Sequence, residues 1–448
     1  MSAFTDPRDI ALRVLRRVQK DAAFANLALD AELAAAGRID PRDAALATEL
    51  VYGTLRRRGT LDRALAPLVK QTLAKLEPAV LDLLRLGAYQ LLFTRIPAHA
   101  AVGETVAAAK RSGLARAAGL LNAVLRRLDR EGAPPPSDRA ADPLAALEAE
   151  ASLPRWLAQR LLEVLGPEEV FAFAEAIDEP SAPTLRVNGA RIEREELEAR
   201  LREEAPGIEL EPAAYAPHAL RAQGGGALTR LPSFAAGLFS LQDEAAQLVG
   251  LLAAPEPGWR ILDACAAPGG KSCHLAELGA GEVISLDIHP RKARRIAEEA
   301  RRLGLSAIRP MAADAGAPLP PEAAGPFDLV LVDAPCSGLG TLQRHPELRY
   351  RRQPEDVRRM AAGQARILDN VAPSVRAGGI LVYAVCSPLP EEGREQVEAF
   401  LRRHADRFEP APLEPAPPWT QGGWLLETWP HRQGMDGFFA ARLRATAG

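Results

Sequence analysis

The stretch Ile261-Leu-Asp-Ala-Cys-Ala-Ala-Pro-Gly-Gly-Lys-Ser-Cys-His-Leu275 decides the fold. A short apolar run ends in Asp263. Small residues follow, then Pro268 and the pair Gly269-Gly270, and then a segment containing alanine and leucine. This pattern predicts a strand, a tight turn and a helix, the first half of a nucleotide-binding βαβ unit. Glycine lets the backbone approach a ligand closely, and the amino end of the helix offers free N–H donors. Two later segments have the same character, Asp333-Ala-Pro-Cys336 and Tyr383-Ala-Val-Cys-Ser387. Each follows an apolar run, so each places a cysteine at the carboxyl end of a parallel sheet, where such sheets bind ligands.

Working outward, strand-like and helix-like segments alternate from about residue 234 to the end, with a last strand expected near 437–443. That alternation implies a Rossmann-like parallel sheet with helices on both faces. Upstream, residues 7 to about 130 read as helices only. Apolar positions recur at helical spacing over 10–18, 42–55, 60–68, 78–92, 99–111 and 115–128, with Gly53, Gly59, Pro97 and Gly113 between them. Residues 131–142 carry three successive prolines and read as a linker. Between linker and sheet lie a helix from Pro154, a strand at 184–188, an acidic helix at 193–204, a strand from Ile208 and the Gly224–Gly226 loop. The expected division is a helical domain at 1–138, a linker with a small α+β subdomain at 139–233, and an α/β domain at 234–448.

The turn after the first strand excludes the better-known nucleotide motifs. A phosphate-binding loop ending in Gly270-Lys271-Ser272 would need glycine where Cys265 stands, and G-x-G-x-x-G is absent. Instead, successive strands are expected to end at Asp263, Asp287, Asp314 and Asp333. A carboxylate at the second strand can accept two hydrogen bonds from a ribose, and one at the third can receive an adenine amino group. Each aspartate alone also reads as an ordinary cap or turn residue. The ordered set points to an adenosine ligand without a phosphate chain, and S-adenosyl-L-methionine fits, its positive charge suited by the acidic residues.

At this point a family resemblance covers nearly the whole chain. Pro97-Ala-His-Ala-Ala-Val-Gly-Glu104 and Leu120-Leu-Asn-Ala-Val-Leu-Arg-Arg127 resemble a NusB-like RNA-binding domain. Cys265-Ala-Ala-Pro-Gly-Gly-Lys271, Asp333-Ala-Pro-Cys-Ser-Gly338, Arg344-His-Pro-Glu347 and Asp436-Gly-Phe-Phe439 resemble RNA cytosine-5 methyltransferases of the NOL1/NOP2/Sun family. The combination is similar to the ribosomal RNA small subunit methyltransferase B family. The resemblance implies S-adenosylmethionine bound by Cys265, Ala266, Ala267, Pro268, Gly269, Gly270, Lys271, Asp287, Asp314 and Asp333. It also implies RNA contacts from Arg186 and Asn188, which match a short L-R-x-N signature.

The two cysteines fit that chemistry. Carbon-5 of cytosine is a poor nucleophile until a thiolate adds to carbon-6, which splits one hard step into two easier ones. Either cysteine alone also reads as a small buried apolar residue. The resemblance implies Cys386 as nucleophile, Cys336 as the residue assisting adduct release, and Asp333 as hydrogen-bond partner of the cytosine. Two departures stand beside Cys386. Val385 replaces the family's usual threonine, and Gly393 replaces an asparagine.

Totals set the remaining bounds. No apolar run reaches the roughly 18–20 residues that cross a bilayer, and the first residues lack a signal-peptide core, so the expectation is a cytoplasmic enzyme with no membrane association. The four cysteines form no C-x-x-C, so neither disulfides nor a bound metal is expected. Residues 1–140 hold 22 Lys/Arg against 15 Asp/Glu, whereas the whole chain is −3 and the remainder therefore −10. A basic front end suits a polyanion. The clusters Arg56-Arg57-Arg58 and Arg126-Arg127 read as solvated helix ends. Arg344, Arg349, Arg351 and Arg352 are placed to hold phosphates. By resemblance the substrate is 16S ribosomal RNA, naked or in an early assembly intermediate, and the protein is expected to be a monomer. The rival expectations are the same chemistry on transfer RNA and a catalytically silent RNA-binding factor.

Overall fold

The computed structural model describes residues 6–446 except 38 and 136. The third proline of the linker and the first five residues read for a signal peptide lie outside the described residues. The chain divides into two compact units, one formed by 1–179 with 342–352, the other by 180–341 with 353–448.

The first unit is helical. Asp6 caps the helix Pro7–Lys20 by accepting the Arg8 N–H at 2.8 Å, and Asp40 caps Pro41–Arg56 by accepting that of Arg42 at 2.8 Å. Both helices carry proline at their first position, where no N–H is needed. Pro78–Phe93 is buried continuously from Ala79 to Gln90 and forms the centre of the bundle. Ile10, Leu50, Leu83, Leu84 and Leu125 are fully buried in the shared core. The helices Ala25–Ala35 and Pro143–Glu150 escape sequence reading.

Most basic residues singled out above are structural in this unit. Arg349 is fully buried. It pairs with Asp178 at 2.9 Å and donates to the carbonyls of Ala151 at 2.7 Å, Ile177 at 3.0 Å and Arg56 at 3.1 Å. Arg351 donates to the carbonyls of Val18, at 3.1 Å, and Ala23. Arg349 is not presented to a phosphate, which corrects the expectation for it, whereas Arg351 is half-buried with one guanidinium nitrogen held by those carbonyls. Arg57 pairs with Asp178 at 2.9 Å, Arg56 donates to the Gln343 carbonyl at 3.2 Å, and Arg58 lies 4.5 Å from the Tyr350 ring centroid. That triplet is therefore held by packed side-chain contacts and is not a solvated helix end. Arg126 and Arg127 remain exposed, satisfied along their own helix by Asn122 and Glu131.

The second unit contains two sheets. The smaller is antiparallel, β1 (Thr184–Val187), β2 (Glu209–Pro212), β3 (Ala219–Gln223) and β4 (Phe239–Leu241), in the order β2-β3-β1-β4. The helix Arg194–Glu204 buries Leu197 and Leu201 in the same core as Leu185 and Val187. The larger sheet has a parallel centre, β5 (Arg260–Asp263), β6 (Glu282–Asp287), β7 (Ile308–Ala312), β8 (Phe327–Asp333) and β9 (Val375–Val385). Its strand order is β7-β6-β5-β8-β9. Beyond β9 it turns antiparallel through β10 (Phe408–Pro410), β11 (Thr420–Gln421), β12 (Leu425–Thr428) and β13 (Phe438–Ala445). The sheet expected to be parallel is thus parallel at its centre and antiparallel at one edge.

Successive residues of the central strands enter opposite cores. Ile261, Leu329, Leu331, Ile380 and Val382 pack on one face, while Leu262, Val330, Val332, Leu381 and Tyr383 pack on the other. A period of two with both faces covered makes these strands continuously apolar until they reach the edge where ligands bind.

Arg186 and Asn188 lie inside this unit and do not face a nucleic acid. Arg186 is 1 % exposed, bonds both carboxylate oxygens of Glu277 at 2.8 Å, and donates to the Gly270 carbonyl at 2.8 Å. Asn188 is fully buried and donates to the carbonyls of Gly237 at 3.0 Å and Leu303 at 3.2 Å. The RNA role expected for both is corrected to one of bracing. Arg186 ties β1 to the helix that follows the Gly269-Gly270 turn.

Candidate active site

Strand order sets out the site. Along the carboxyl edge, from β7 to β9, lie Asp314, Asp287, Asp263, Asp333 and Cys386, each at or just past its strand end. The chain reverses its winding direction between β5 and β8, which opens a crevice at that edge.

Asp263 is fully buried. Its Oδ2 accepts from Ser272 Oγ at 2.6 Å, and Ser285 Oγ stands 2.9 Å from Ser272 Oγ. It anchors the start of the helix Gly270–Glu277, and burial pushes its carboxyl up to about 7. Gly269 precedes that helix with φ +111°, and a Cβ there would stand 3.3 Å from the Ile296 backbone. Only glycine suits so left-handed and so crowded a position.

A cavity of about 360 Å³ opens beside the turn. Cys265, Asp287, Ile288 and Asp314 line one side, and Met360, Gln364 and Ile367 of the helix Pro354–Val371 line the other. Asp287 Oδ1 accepts the His289 N–H at 2.8 Å and Asp314 Oδ1 that of Gly316 at 2.8 Å. One oxygen of each carboxylate is thus held by its own loop, which fixes the orientation of the other. Ile288 is 56 % exposed, an apolar surface beside the two acids. Ala266, Ala267, Pro268, Gly269 and Gly270 form the turn itself and do not line this cavity. In it the Ala266 N–H donates to Leu286 O at 2.7 Å and the Gly269 N–H to Ala266 O at 2.7 Å.

Lys271 and Asp333 form a second cluster. Lys271 Nζ donates to Asp333 Oδ2 at 2.8 Å and lies 5.0 Å from the Phe438 ring centroid. Burial opposes the ammonium, but the neighbouring acidic groups, Asp333 foremost, together hold Lys271 above its usual range.

The two thiols meet: Cys336 Sγ and Cys386 Sγ are 3.3 Å apart. Hydrogen bonding to Cys386, with burial second, holds the Cys336 thiol well above the usual range, so it stays protonated. Cys265 and Cys273 are pushed up by burial too, the latter to about 12. Sequence reasoning passed over the residues that support the pair. Ser337, Ser387, Gln364 and Glu392 form one buried hydrogen-bonded cluster behind the cysteines. The signal available was the serine directly after each cysteine. The two departures have structural counterparts. Val385 is fully buried in an apolar core, and a Cβ on Gly393 would come within 3.0 Å of the Phe439 ring.

Three family models match the chain. The NusB family covers residues 5–130, an RsmF/B-like methyltransferase ferredoxin-like domain covers 153–229, and the 16S rRNA methyltransferase RsmB/F model covers 250–444. A Pseudomonas putida protein named ribosomal RNA small subunit methyltransferase B is 38% identical over 441 residues, covering 98% of this chain and 98% of its own. The chain belongs to the ribosomal RNA small subunit methyltransferase B family. A Bacillus subtilis protein with the same name, qualified as probable, is 38% identical over 98% of this chain and 99% of its own. Among solved structures, that of PH0851 aligns with a TM-score of 0.84 at 26% identity, over 98% of this chain and 99% of that one. A methyltransferase homologue from Pyrococcus horikoshii aligns with a TM-score of 0.58 at 26% identity, over 67% of this chain and 98% of that one.

The family's architecture is therefore the one described above, a NusB-like helical domain, a ferredoxin-like subdomain and a mixed-sheet methyltransferase domain. Its cofactor is S-adenosylmethionine. The residues present fit that molecule. Asp287 and Asp314 place oriented carboxylates in the cavity, and Ile288 adds an apolar face beside them. Among the described residues, no His/Cys/Asp/Glu group could hold a metal ion, and no helix is long and apolar enough to cross a membrane.

Proposed function

We propose that this protein methylates carbon-5 of a cytidine in 16S ribosomal RNA through a transient bond between Cys386 and carbon-6 of the base. The observation that carries the reading is the 3.3 Å approach of two thiols beside the Lys271–Asp333 pair. A single nucleophile needs no second sulfur, whereas an adduct that must form and then break can use one. In this reading Asp287 and Asp314 hold the nucleoside part of S-adenosylmethionine, and the bound cofactor supplies an electrophilic methyl group. Cys386 adds as thiolate to carbon-6, and the ring electrons move to carbon-5, which then takes the methyl group. Asp333, oriented by Lys271, accepts a hydrogen bond from the exocyclic amine of the cytosine and favours the charge that develops there. Transfer of the carbon-5 proton to solvent water restores the double bond and expels the Cys386 thiolate. The Cys336 S–H, held protonated beside it, stabilises the departing sulfur. The target base must be unstacked to reach the thiol.

The NusB-like domain and the names of the relatives favour small-subunit ribosomal RNA over transfer RNA. The test is methyl transfer from labelled S-adenosylmethionine to 16S RNA and to transfer RNA, followed by nucleoside digestion and mass spectrometry. The expected product is 5-methylcytidine from 16S RNA. A different methylated nucleoside, or product from transfer RNA alone, overturns the proposal.

A further inference from the structure

Four hydrogen-bond donors converge on the carboxylate of Glu392, which is fully buried. Oε1 accepts from the Ser337 backbone N–H at 2.8 Å and from Gln364 Nε2 at 3.1 Å. Oε2 accepts from Ser337 Oγ at 2.5 Å and Ser387 Oγ at 2.6 Å. The two serine oxygens stand 3.1 Å from each other, and with both protons directed at the carboxylate that separation is their shared approach to one oxygen. The Glu392 carbonyl in turn accepts from Tyr383 Oη at 2.5 Å, on the strand that leads to Cys386.

A buried carboxylate is costly unless its lone pairs are filled, and three of the four donors that fill them here come from the residues next to the thiols. Ser337 is the residue after Cys336, and Ser387 is the residue after Cys386. One carboxyl group therefore binds both thiol-bearing loops at the position next to the sulfur. We propose that Glu392 is a positioning residue that sets the separation of Cys336 and Cys386, and with it the hand-over from attack by one thiol to release assisted by the other. This rests on the reading that both thiols act. The hand-over is sensitive to distance, since misplacement of a reacting group by about 1 Å costs on the order of a hundredfold in rate.

The experiment measures thiol separation without RNA. Diamide takes one hydrogen from each thiol, is reduced to its hydrazine, and leaves an S–S bond between Cys336 and Cys386, which peptide mapping identifies. In the wild type that bond should form readily. Glu392→Gln puts an amide N–H₂ where donors already converge, and should slow it by about tenfold or more. Calorimetric S-adenosylmethionine affinity should stay within about twofold, and decay of the RNA adduct should slow in parallel with the disulfide rate. Wild-type rates of both in Glu392→Gln overturn the proposal. So does a loss of cofactor affinity as large as the thiol effect, which would mark a merely structural residue. Should Glu392→Gln not fold, Ser337→Ala and Ser387→Ala each remove one hydroxyl, and wild-type disulfide rates in both overturn the proposal as well. A wild type that forms the disulfide but never an RNA adduct sinks the functional reading, while the disulfide rates still decide whether Glu392 sets the separation.

Discussion

Cys336 Sγ lies 3.3 Å from Cys386 Sγ, although 50 residues and a helix separate them in the chain. Each sits just past one of two adjacent parallel strands, β8 and β9, so the sheet register brings the sulfurs together. Their roles can be told apart because only one can form the bond to the base. Cys386→Ala should abolish both methyl transfer and any RNA adduct. Cys336→Ala should form the adduct and fail to release it, leaving a protein–RNA species that survives a denaturing gel. If Cys336→Ala forms no adduct while Cys386→Ala still turns over, the assignment is reversed.

Lys271 is charged in spite of its burial because Asp333 faces it at 2.8 Å. Asp333→Asn removes that support and leaves burial, which favours the neutral amine. The ammonium should then lose its proton at lower pH than in the wild type. Asp333 also faces the base in the mechanism, so overall activity will fall in any case. The informative readout is the basic limb of single-turnover rate against pH, which should move down by about one unit or more. An unmoved limb would mean that the charge on Lys271 does not matter to the reaction.

Arg186 and Glu277 form a buried bidentate pair. Removing one member leaves the other charge buried without compensation, which costs about 3–5 kcal/mol. Arg186→Ala should lower the unfolding midpoint accordingly and weaken cofactor binding, since Arg186 also holds the Gly270 carbonyl. Filter binding of RNA by the folded fraction should not change. A variant with normal stability and weakened RNA binding would restore the contact expected from sequence.

These cases mark where sequence reading succeeds. The strands ending at Asp263, Asp287 and Asp333, and the cysteines after two of the strands, are legible because alternation and turn chemistry act within a few residues. The direction of the last strand was not legible, because a run such as 438–445 has the same pattern whether it pairs parallel or antiparallel. Arg186 and Asn188 were misread for a related reason. Their partners Glu277 and Leu303 lie 91 and 115 residues away, and nothing local distinguishes a buried arginine from one that faces a phosphate. Arg349 and Asp178 repeat the lesson in the helical unit. Nothing local in the sequence marks Glu392, and its importance appears once Ser337, 55 residues earlier, is seen to donate to its carboxylate.

Asp263 gives a prediction about stability and pH. Its carboxyl titrates at about 7 in the folded protein because burial disfavours the charge, against an ordinary value of 3.8. The folded state therefore keeps a proton that the unfolded chain has already lost between these values. In that window the unfolded state binds fewer protons, so stability must fall as pH rises from about 4 to 7, and it should level off above. Asp263→Asn retains an acceptor for Ser272 and cannot ionise. Its stability relative to wild type should therefore grow across that window, by roughly 4 kcal/mol at most. Melting temperatures of the two proteins between pH 5 and 8 measure the difference, in which the histidines and other shared groups cancel. Curves that stay parallel over that range would show that Asp263 is already ionised in the fold, with its charge matched by Lys271.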